Sequence, residues 1–263
     1  MTGDLTMTNA ASYLSVTGVE KSFGGLKALR DCSFSIRKEN ITCLVGPNGA
    51  GKTSIFNVIT GFIQPDAGQV AFQGMSLNGM TAQKIVSLGI ARTFQNLRLF
   101  NDMSVIDNVV VASRGAWNES LLSSLFYPFR NQRDLKAKNE RAMQILEEVG
   151  LSGKAKEIVR NLSYGEQKLL CIARVLASGA DLILLDEPAS GLSASELAST
   201  IKLLHRLREA GKTLLVVEHN TRVVKQIAQD VLFLHQGHLM ASGSPDEITK
   251  DPALAEIYFG NMK

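Results

Sequence analysis

The residues best suited to chemistry fall in two short runs. The first is Gly46-Pro47-Asn48-Gly49-Ala50-Gly51-Lys52-Thr53, which fits the pattern G-x-x-x-x-G-K-[ST]. Its glycines lack a Cβ, so backbone N–H groups can close around phosphate oxygens. Lys52 supplies a positive charge for the β- and γ-phosphates of a nucleotide, and the Thr53 hydroxyl is placed to ligate Mg²⁺. The second run is Asp186-Glu187, directly after the apolar stretch Leu182–Leu185. Mg²⁺ keeps several of its waters and takes few carboxylates, so Asp186 is expected to hold it through that water shell. Glu187 is then the candidate to polarise an attacking water. Each run alone has a structural explanation: a glycine-rich turn before a helix, or a strand that ends in acids. Together they describe phosphoryl transfer to water.

Such groups act only if the fold brings them to one edge. Before the glycine-rich loop, Thr42–Val45 reads as a strand, as does Ser33–Ile36. After the loop, Ile55, Phe56, Val58 and Ile59 give helical spacing over Ser54–Thr60, and Gly61 follows as a stop. Gln64 to Gly68 is a turn leading into a strand at Gln69–Phe72, and a further strand is expected at Ile90–Phe94. From about Asn96 to Asn161 the composition shifts toward Asn, Arg and Lys, and an inserted helical subdomain is expected there. In it, Arg133 to Val149 carries the apolar positions Leu135, Met143, Ile145, Leu146 and Val149 and stops at Gly150. Its basic residues Arg130, Arg133, Lys136, Lys138 and Arg141 read most simply as a solvated face.

Beyond Asn161 helix and strand alternate. A helix starts at about Tyr164, a strand covers Leu182–Leu185 and a helix Ala194–Glu209. A strand at Thr213–Val217, a helix at Thr221–Gln229 and a strand at Val231–Leu234 complete the series. This is the pattern of βαβ units around a mostly parallel sheet. In such a sheet ligands bind beyond the carboxyl ends of the strands, which sets Asp186 beside the phosphate loop.

Composition narrows the class. The chain has 263 residues, 45% of them hydrophobic, enough to bury a sizeable core. Cys32, Cys43 and Cys171 are scattered and odd in number, which argues against a disulfide framework or a zinc site and fits a reducing compartment. With 28 basic and 25 acidic residues, no nucleic-acid partner is implied by charge. No apolar run approaches the roughly 18 residues needed to span a bilayer, so a membrane role must come through a partner. Residues 1–12 are expected to form a flexible polar tail without the features of a signal peptide.

A third run, Leu162-Ser163-Tyr164-Gly165-Glu166-Gln167, opens a helix in which Ser163 and Glu166 have capping-box spacing. It lies between the phosphate loop and the acidic pair. In that order and spacing the chain resembles the ATP-binding subunits of ABC transporters, and LSYGE resembles their signature sequence. The likeness extends over nearly the whole chain from about residue 13. It implies one ABC ATPase domain over residues 13–263: an α/β P-loop NTPase core with a mostly parallel sheet, an antiparallel β subdomain, and the helical insertion at about 96–161. The resemblance further implies that Phe23 stacks on the adenine, that Gln95 senses Mg²⁺ and the attacking water, and that His219 contacts the γ-phosphate. Ser163 and Gly165 are implied to touch the γ-phosphate held by a second subunit. Some of Leu97, Leu99, Phe100 and Met103, which follow Gln95, are expected to line a groove for a short helix of a membrane subunit.

Several stretches are similar to the branch that imports branched-chain amino acids. They include Phe23-Gly24-Gly25-Leu26, the run from Arg92 to Phe100, Val217-Glu218-His219-Asn220 and Ala255 to Gly260. The implied function is an ATP-hydrolysing motor using ATP and Mg²⁺ at the cytoplasmic face of a membrane. Its partners would be a second ATPase subunit, identical or paralogous, polytopic permease subunits and, indirectly, an external solute-binding protein. Importers of urea or other amides share parts of these stretches, and a non-transport ABC ATPase stays open. A P-loop kinase would need neither the signature run nor Glu187. One departure stands out: Ser193 replaces the usual Asp in the loop Ser190-Gly191-Leu192-Ser193, which puts charge-dependent signalling there in doubt.

Overall fold

The computed structural model describes residues 12–113 and 128–254, and side chains throughout these except at 128–133. Residues 1–11 of the tail, the stretch from Ala255, and the side chains of Arg130 and Arg133 lie outside the described residues. The strands are β1 (Leu14–Phe23), β2 (Leu26–Ile36), β3 (Ile41–Val45), β4 (Ala67–Phe72), β5 (Met75–Ser76), β6 (Ile90–Arg92), β7 (Leu182–Asp186), β8 (Thr213–Val217), β9 (Asp230–His235) and β10 (His238–Gly243). The helices are α1 (Lys52–Ile59), α2 (Ala82–Ser87), α3 (Val105–Ala112), α4 (Pro128–Val149), α5 (Tyr164–Ala177), α6 (Ala194–Glu209), α7 (Thr221–Ile227) and α8 (Pro245–Lys250).

Two sheets form. One is antiparallel, in the order β2-β1-β4-β5; the other runs β10-β9-β3-β8-β7-β6, with every pairing parallel except β10 with β9. Strands β3 and β8 are buried at every residue, as expected for a parallel sheet covered on both faces. Alternation then sorts their side chains into two cores. Ile41, Cys43, Ile183, Leu185, Leu214, Val216, Val231 and Phe233 face one way, into a cluster with α3 to α8. Leu44, Leu182, Leu184, Leu215, Val217, Leu232 and Leu234 face the other way and meet α1 and the antiparallel sheet. All three cysteines are buried and unpaired.

Between β6 and α5 the described residues contain helices and turns and one isolated bridge, Ser104 with Ile158. Here the apolar stripe expected along α4 is cut short. Ala142, Ile145, Leu146 and Val149 are buried, while Leu135 is 53% and Met143 39% exposed. The last two turns of α4 reach the core shared with α3 and α5, with Met143 turned off that face, and among the described residues Leu135, further up the helix, has no place in that core. Of the basic residues read as a solvated face, Lys136 and Arg141 are exposed and Lys138 is half-buried. Several other boundaries move: α1 covers Lys52–Ile59 rather than Ser54–Thr60, β4 starts at Ala67 rather than Gln69, and β9 covers Asp230–His235 rather than Val231–Leu234. β6 ends at Arg92 rather than Phe94, because Thr93 turns its hydroxyl toward β7, and α7 ends at Ile227 rather than Gln229. The Gln229 side chain instead accepts from the Ile41 N–H and donates to the Ile227 carbonyl.

Truncating Ile145 to Ala should therefore cost about 2–5 kcal/mol, the usual penalty for a large buried aliphatic side chain. Leu135→Ala should stay within about 0.5 kcal/mol. Urea unfolding midpoints at constant slope compare the two directly.

Candidate functional site

Four segments leave the carboxyl ends of adjacent parallel strands. The phosphate loop follows β3, Thr93–Gln95 follows β6, Asp186-Glu187 closes β7, and Glu218-His219 follows β8. A cleft of about 590 Å³ at this edge is lined by Phe23, by Asn48 to Ser54, and by Gln95, Asp186 and Glu187. The two runs met first in the sequence thus share one cavity. Leu26, Arg30 and Gln236 line it too, which the sequence reading did not anticipate. Leu26 was detectable: it pairs directly with Phe23 across a two-residue Gly24-Gly25 hairpin.

The loop is built by close backbone approach. A Cβ on Gly46 would lie 2.0 Å from the Leu234 carbonyl oxygen, so the loop rests directly on β9. Ala50 accepts from the Gly237 N–H at 2.9 Å, which ties the loop to the tip of the β9–β10 hairpin. Gly49 has a φ of 79°, in the left-handed region, with open space around it. No side chain caps the start of α1 and no acid lies in its first turn, so its N–H groups and dipole suit an anion. Lys52 folds over the loop and donates to the Gly46 and Pro47 carbonyls at 2.7 and 2.9 Å. Burial draws its ammonium below the ordinary lysine value, against the pull of Glu187 and Asp186.

Asp186 lies beside Arg92, at 3.5 Å, with only 9% and 5% of the two side chains exposed. Arg92 also donates to Asn57 Oδ1 at 2.6 Å and sits over the Phe94 ring at 4.7 Å. Burial pushes the Asp186 carboxyl above the usual carboxylate range, and Arg92 opposes it; burial also lowers the Arg92 guanidinium. Desolvation outweighs attraction for both groups, so the pair adds little net stability, although losing one partner would strand the other. The Asp186 N–H donates to Thr93 Oγ1 at 3.1 Å, and Glu187 N–H to the Val217 carbonyl at 3.0 Å. His219 Nδ1 is 3.7 Å from Glu187 Oε1, longer than a hydrogen bond.

Ser163, Gly165 and His219 do not line this cleft. Ser163 caps α5 in a capping box with Glu166, as its spacing implies. Its hydroxyl also donates to Glu196 Oε1 at 3.3 Å, and that carboxylate fills the room that a Cβ on Gly165 would need. Glu196 belongs to a second capping box, with Ser193. The serine in place of the usual Asp therefore still caps a helix.

The chain as a whole has relatives among known proteins. The family model described as ABC transporter matches residues 29–190. The chain belongs to the ABC transporter family. The high-affinity branched-chain amino acid transport ATP-binding protein LivG of Salmonella typhimurium is 37% identical over 248 residues, 94% of this chain and 97% of the relative. BraF of Pseudomonas aeruginosa, with the same description, is 36% identical over the same share of each chain. A nucleotide-free ATP-binding cassette from an ABC transporter superposes with a TM-score of 0.83 at 31% identity, covering 95% of this chain and all of that one. The fold is that of an ABC ATPase, a P-loop core whose parallel sheet meets an antiparallel one, and ATP hydrolysis coupled to transport is its activity.

Three residues of this ABC ATPase escaped the sequence reading as chemical groups. Arg92, Lys168 and Glu218 are buried ions whose partners come from distant elements. Lys168, alone among the apolar positions of α5, carried the one visible sign.

Of the four apolar residues after Gln95, Leu97 lines a second cleft of about 280 Å³, together with Phe62, Val86, Phe94, Ala112 and Val175. The other three do not. Leu99 packs against the core, Phe100 lies under the Arg174 guanidinium at 5.2 Å, and Met103 is half-buried. Among the described residues no helix is long and apolar enough to cross a membrane.

Arg92→Met should lower unfolding free energy by about 3–5 kcal/mol, because it leaves the buried Asp186 carboxylate, and the half-buried Asn57, without their partner. Chemical denaturation should show a loss well above that of Leu135→Ala.

Proposed function

We propose that this chain is the ATP-hydrolysing motor of an importer for branched-chain or other hydrophobic amino acids, bound at the cytoplasmic face of the membrane to polytopic permease subunits. The cargo class rests on the relatives' descriptions. The chemistry rests on one observation: Lys52, Thr53, Asp186 and Glu187 line a single cleft at the end of the sheet. In this reading residues 13–263 act as one ATPase domain, with residues 96–161 as its helical subdomain.

The backbone of Gly46, Pro47, Asn48, Gly49, Ala50 and Gly51 encloses the phosphates, and Lys52 turns from the loop carbonyls to the β- and γ-phosphates. Phe23, 46% exposed at the cleft's rim, presents a ring face for the purine. Thr53, Gln95 and Asp186 offer only hard oxygen donors in that cleft, which fits Mg²⁺. The ion, when bound, neutralises charge developing on the phosphates. Glu187 takes a proton from water as the water oxygen bonds to the γ-phosphorus and ADP departs. His219, close to Glu187, holds the γ-phosphate in line.

Ser163 and Gly165 lie outside their own chain's cleft, which supports the view that they serve the γ-phosphate of a second subunit. There a phosphate oxygen would take the Ser163 hydroxyl from Glu196. Each site is then complete only between two subunits, whether identical or paralogous, and ATP bound only in the closed state stabilises that state by mass action.

Glu187→Gln keeps the shape of the site but loses the charge that activates water, which typically slows hydrolysis by about 10²–10⁴-fold. Gel filtration with Mg-free ATP should show this variant as a dimer, and Ser163→Arg added to it should return the monomer. Lys52→Ala should abolish tight ATP binding; an affinity within about twofold of wild type would remove the phosphate-loop assignment, since a charge-assisted contact is worth more than that.

The second cleft is the proposed seat of a permease helix, with Leu97 and Phe62 as apolar anchors. Leu97→Glu should release the chain from its membrane complex in pull-down while leaving its circular dichroism and melting point near wild type. Unfolding of this variant would count against the docking role.

A further inference from the structure

Two buried ions take no part in the phosphate-facing set. Lys168 is 8% and Glu218 1% exposed. Lys168 lies in α5 beside Leu170, Cys171 and Ile172, and its ammonium donates to the carbonyl oxygens of Glu187, at 2.7 Å, and Ser190. Glu218, at the end of β8, accepts from the Ala189 N–H at 2.9 Å. The turn 187–190 is thus gripped by an ammonium from one side and a carboxylate from the other.

That turn needs a grip. Glu187 sits at a φ of 50°, in the left-handed region that a Cβ disfavours. The turn's internal bond, from the Ser190 N–H to the Glu187 carbonyl, is long at 3.3 Å. Left to itself such a backbone relaxes, and the carboxylate above it swings with it. Burial works against both ions. It draws the Lys168 ammonium down, against the pull of Glu218 and Glu187, and pushes the Glu218 carboxyl up. An apolar side chain at 168 would avoid that cost and supply no hydrogen bond.

We propose that Lys168, supported by Glu218, is a positioning residue that fixes the backbone under Glu187 and so ties the signature helix to the group that activates water. Ser163 caps the same helix five residues earlier, a rise of about 7.5 Å along a rigid element. A shift of that helix when Ser163 meets a phosphate is therefore carried by one side chain to the Glu187 carbonyl. Hydrolysis becomes sensitive to whether the second subunit has docked. The inference rests on the assignment of Glu187 as general base.

The test uses the full chain, with steady-state ATP hydrolysis and equilibrium binding of a fluorescent ATP analogue. Lys168→Met should lower kcat by about 10²-fold, the order expected for a misplaced catalytic group, with analogue affinity within about twofold of wild type. Lys168→Arg, which keeps a cationic donor, should recover most of the rate. In a Glu187→Gln background Lys168→Met should cause no further loss, because residues acting through one another are not additive. Glu218→Gln keeps an acceptor for Ala189 and removes only the charge; it should lower kcat by about 3- to 10-fold, again with no effect on Glu187→Gln. Should Lys168→Met fail to fold, this arm decides.

A kcat near wild type in the folded variants overturns the proposal, as does a full additional loss on Glu187→Gln. Loss of analogue binding in step with kcat would also overturn it, since that marks general structural damage. If Glu187→Gln itself hydrolyses ATP at the wild-type rate, the general-base assignment has failed, and the proposal fails with it. An inactive Glu187→Gln beside an active Lys168→Met isolates failure of the positioning role alone.

Discussion

Five parallel strands buried on both faces leave nowhere along their length for a charge. Strands β9, β3, β8, β7 and β6 spend almost every side chain on one of two apolar cores. Polar groups are displaced to the strand ends, where the last residue of each strand and the turn after it meet solvent. Because the strands are parallel and adjacent, those ends lie side by side. The phosphate loop, Gln95, Asp186-Glu187 and His219 are neighbours for that reason, though they are as much as 173 positions apart, from Gly46 to His219.

The same constraint explains the buried ions. At the rim of the sheet, backbone N–H and carbonyl groups turn away from strand pairing and need new partners. Arg92 serves the Thr93 carbonyl, Asn57 and Asp186; Lys168 serves two carbonyls of one turn; Glu218 serves an N–H of the same turn. These ions are poor sources of net stability, since burial shifts each toward its neutral form. Their value lies in geometry. Each holds a piece of irregular backbone that presents a side chain to the cleft.

What the sequence made legible follows from how local each signal is. The phosphate loop, the acids after Leu182–Leu185 and the cap at Ser163 are written in consecutive residues, and the structure finds all three in the expected setting. The limits of β8 and α6 were recovered to the residue. Within β1 and β2 only Ser33–Ile36 was named as a strand, because bulges near Val19 and Lys21 break the alternation a strand reading depends on. The stripe on α4 was extended too far, since periodicity states which face is apolar but not where the partner ends. Arg92 and Glu218 carried no local signature, and Lys168 only its place among the apolar positions of α5, because their partners lie 35, 29 and 19 residues away.

Two glycines of the phosphate loop also divide what a deep mutational scan of this chain would record. Gly46 is barred to every other residue by the Leu234 carbonyl, so substitutions there should register as missing protein. Gly49 has no atom within 4 Å of where a side chain would begin, and its left-handed backbone is one that Asn and Asp tolerate. A scan scored by abundance would separate the two positions, and one scored by growth on the transported nutrient alone would merge them. The loop's pattern in an alignment is in that sense two constraints, one belonging to the sheet beneath it and one to the anion above.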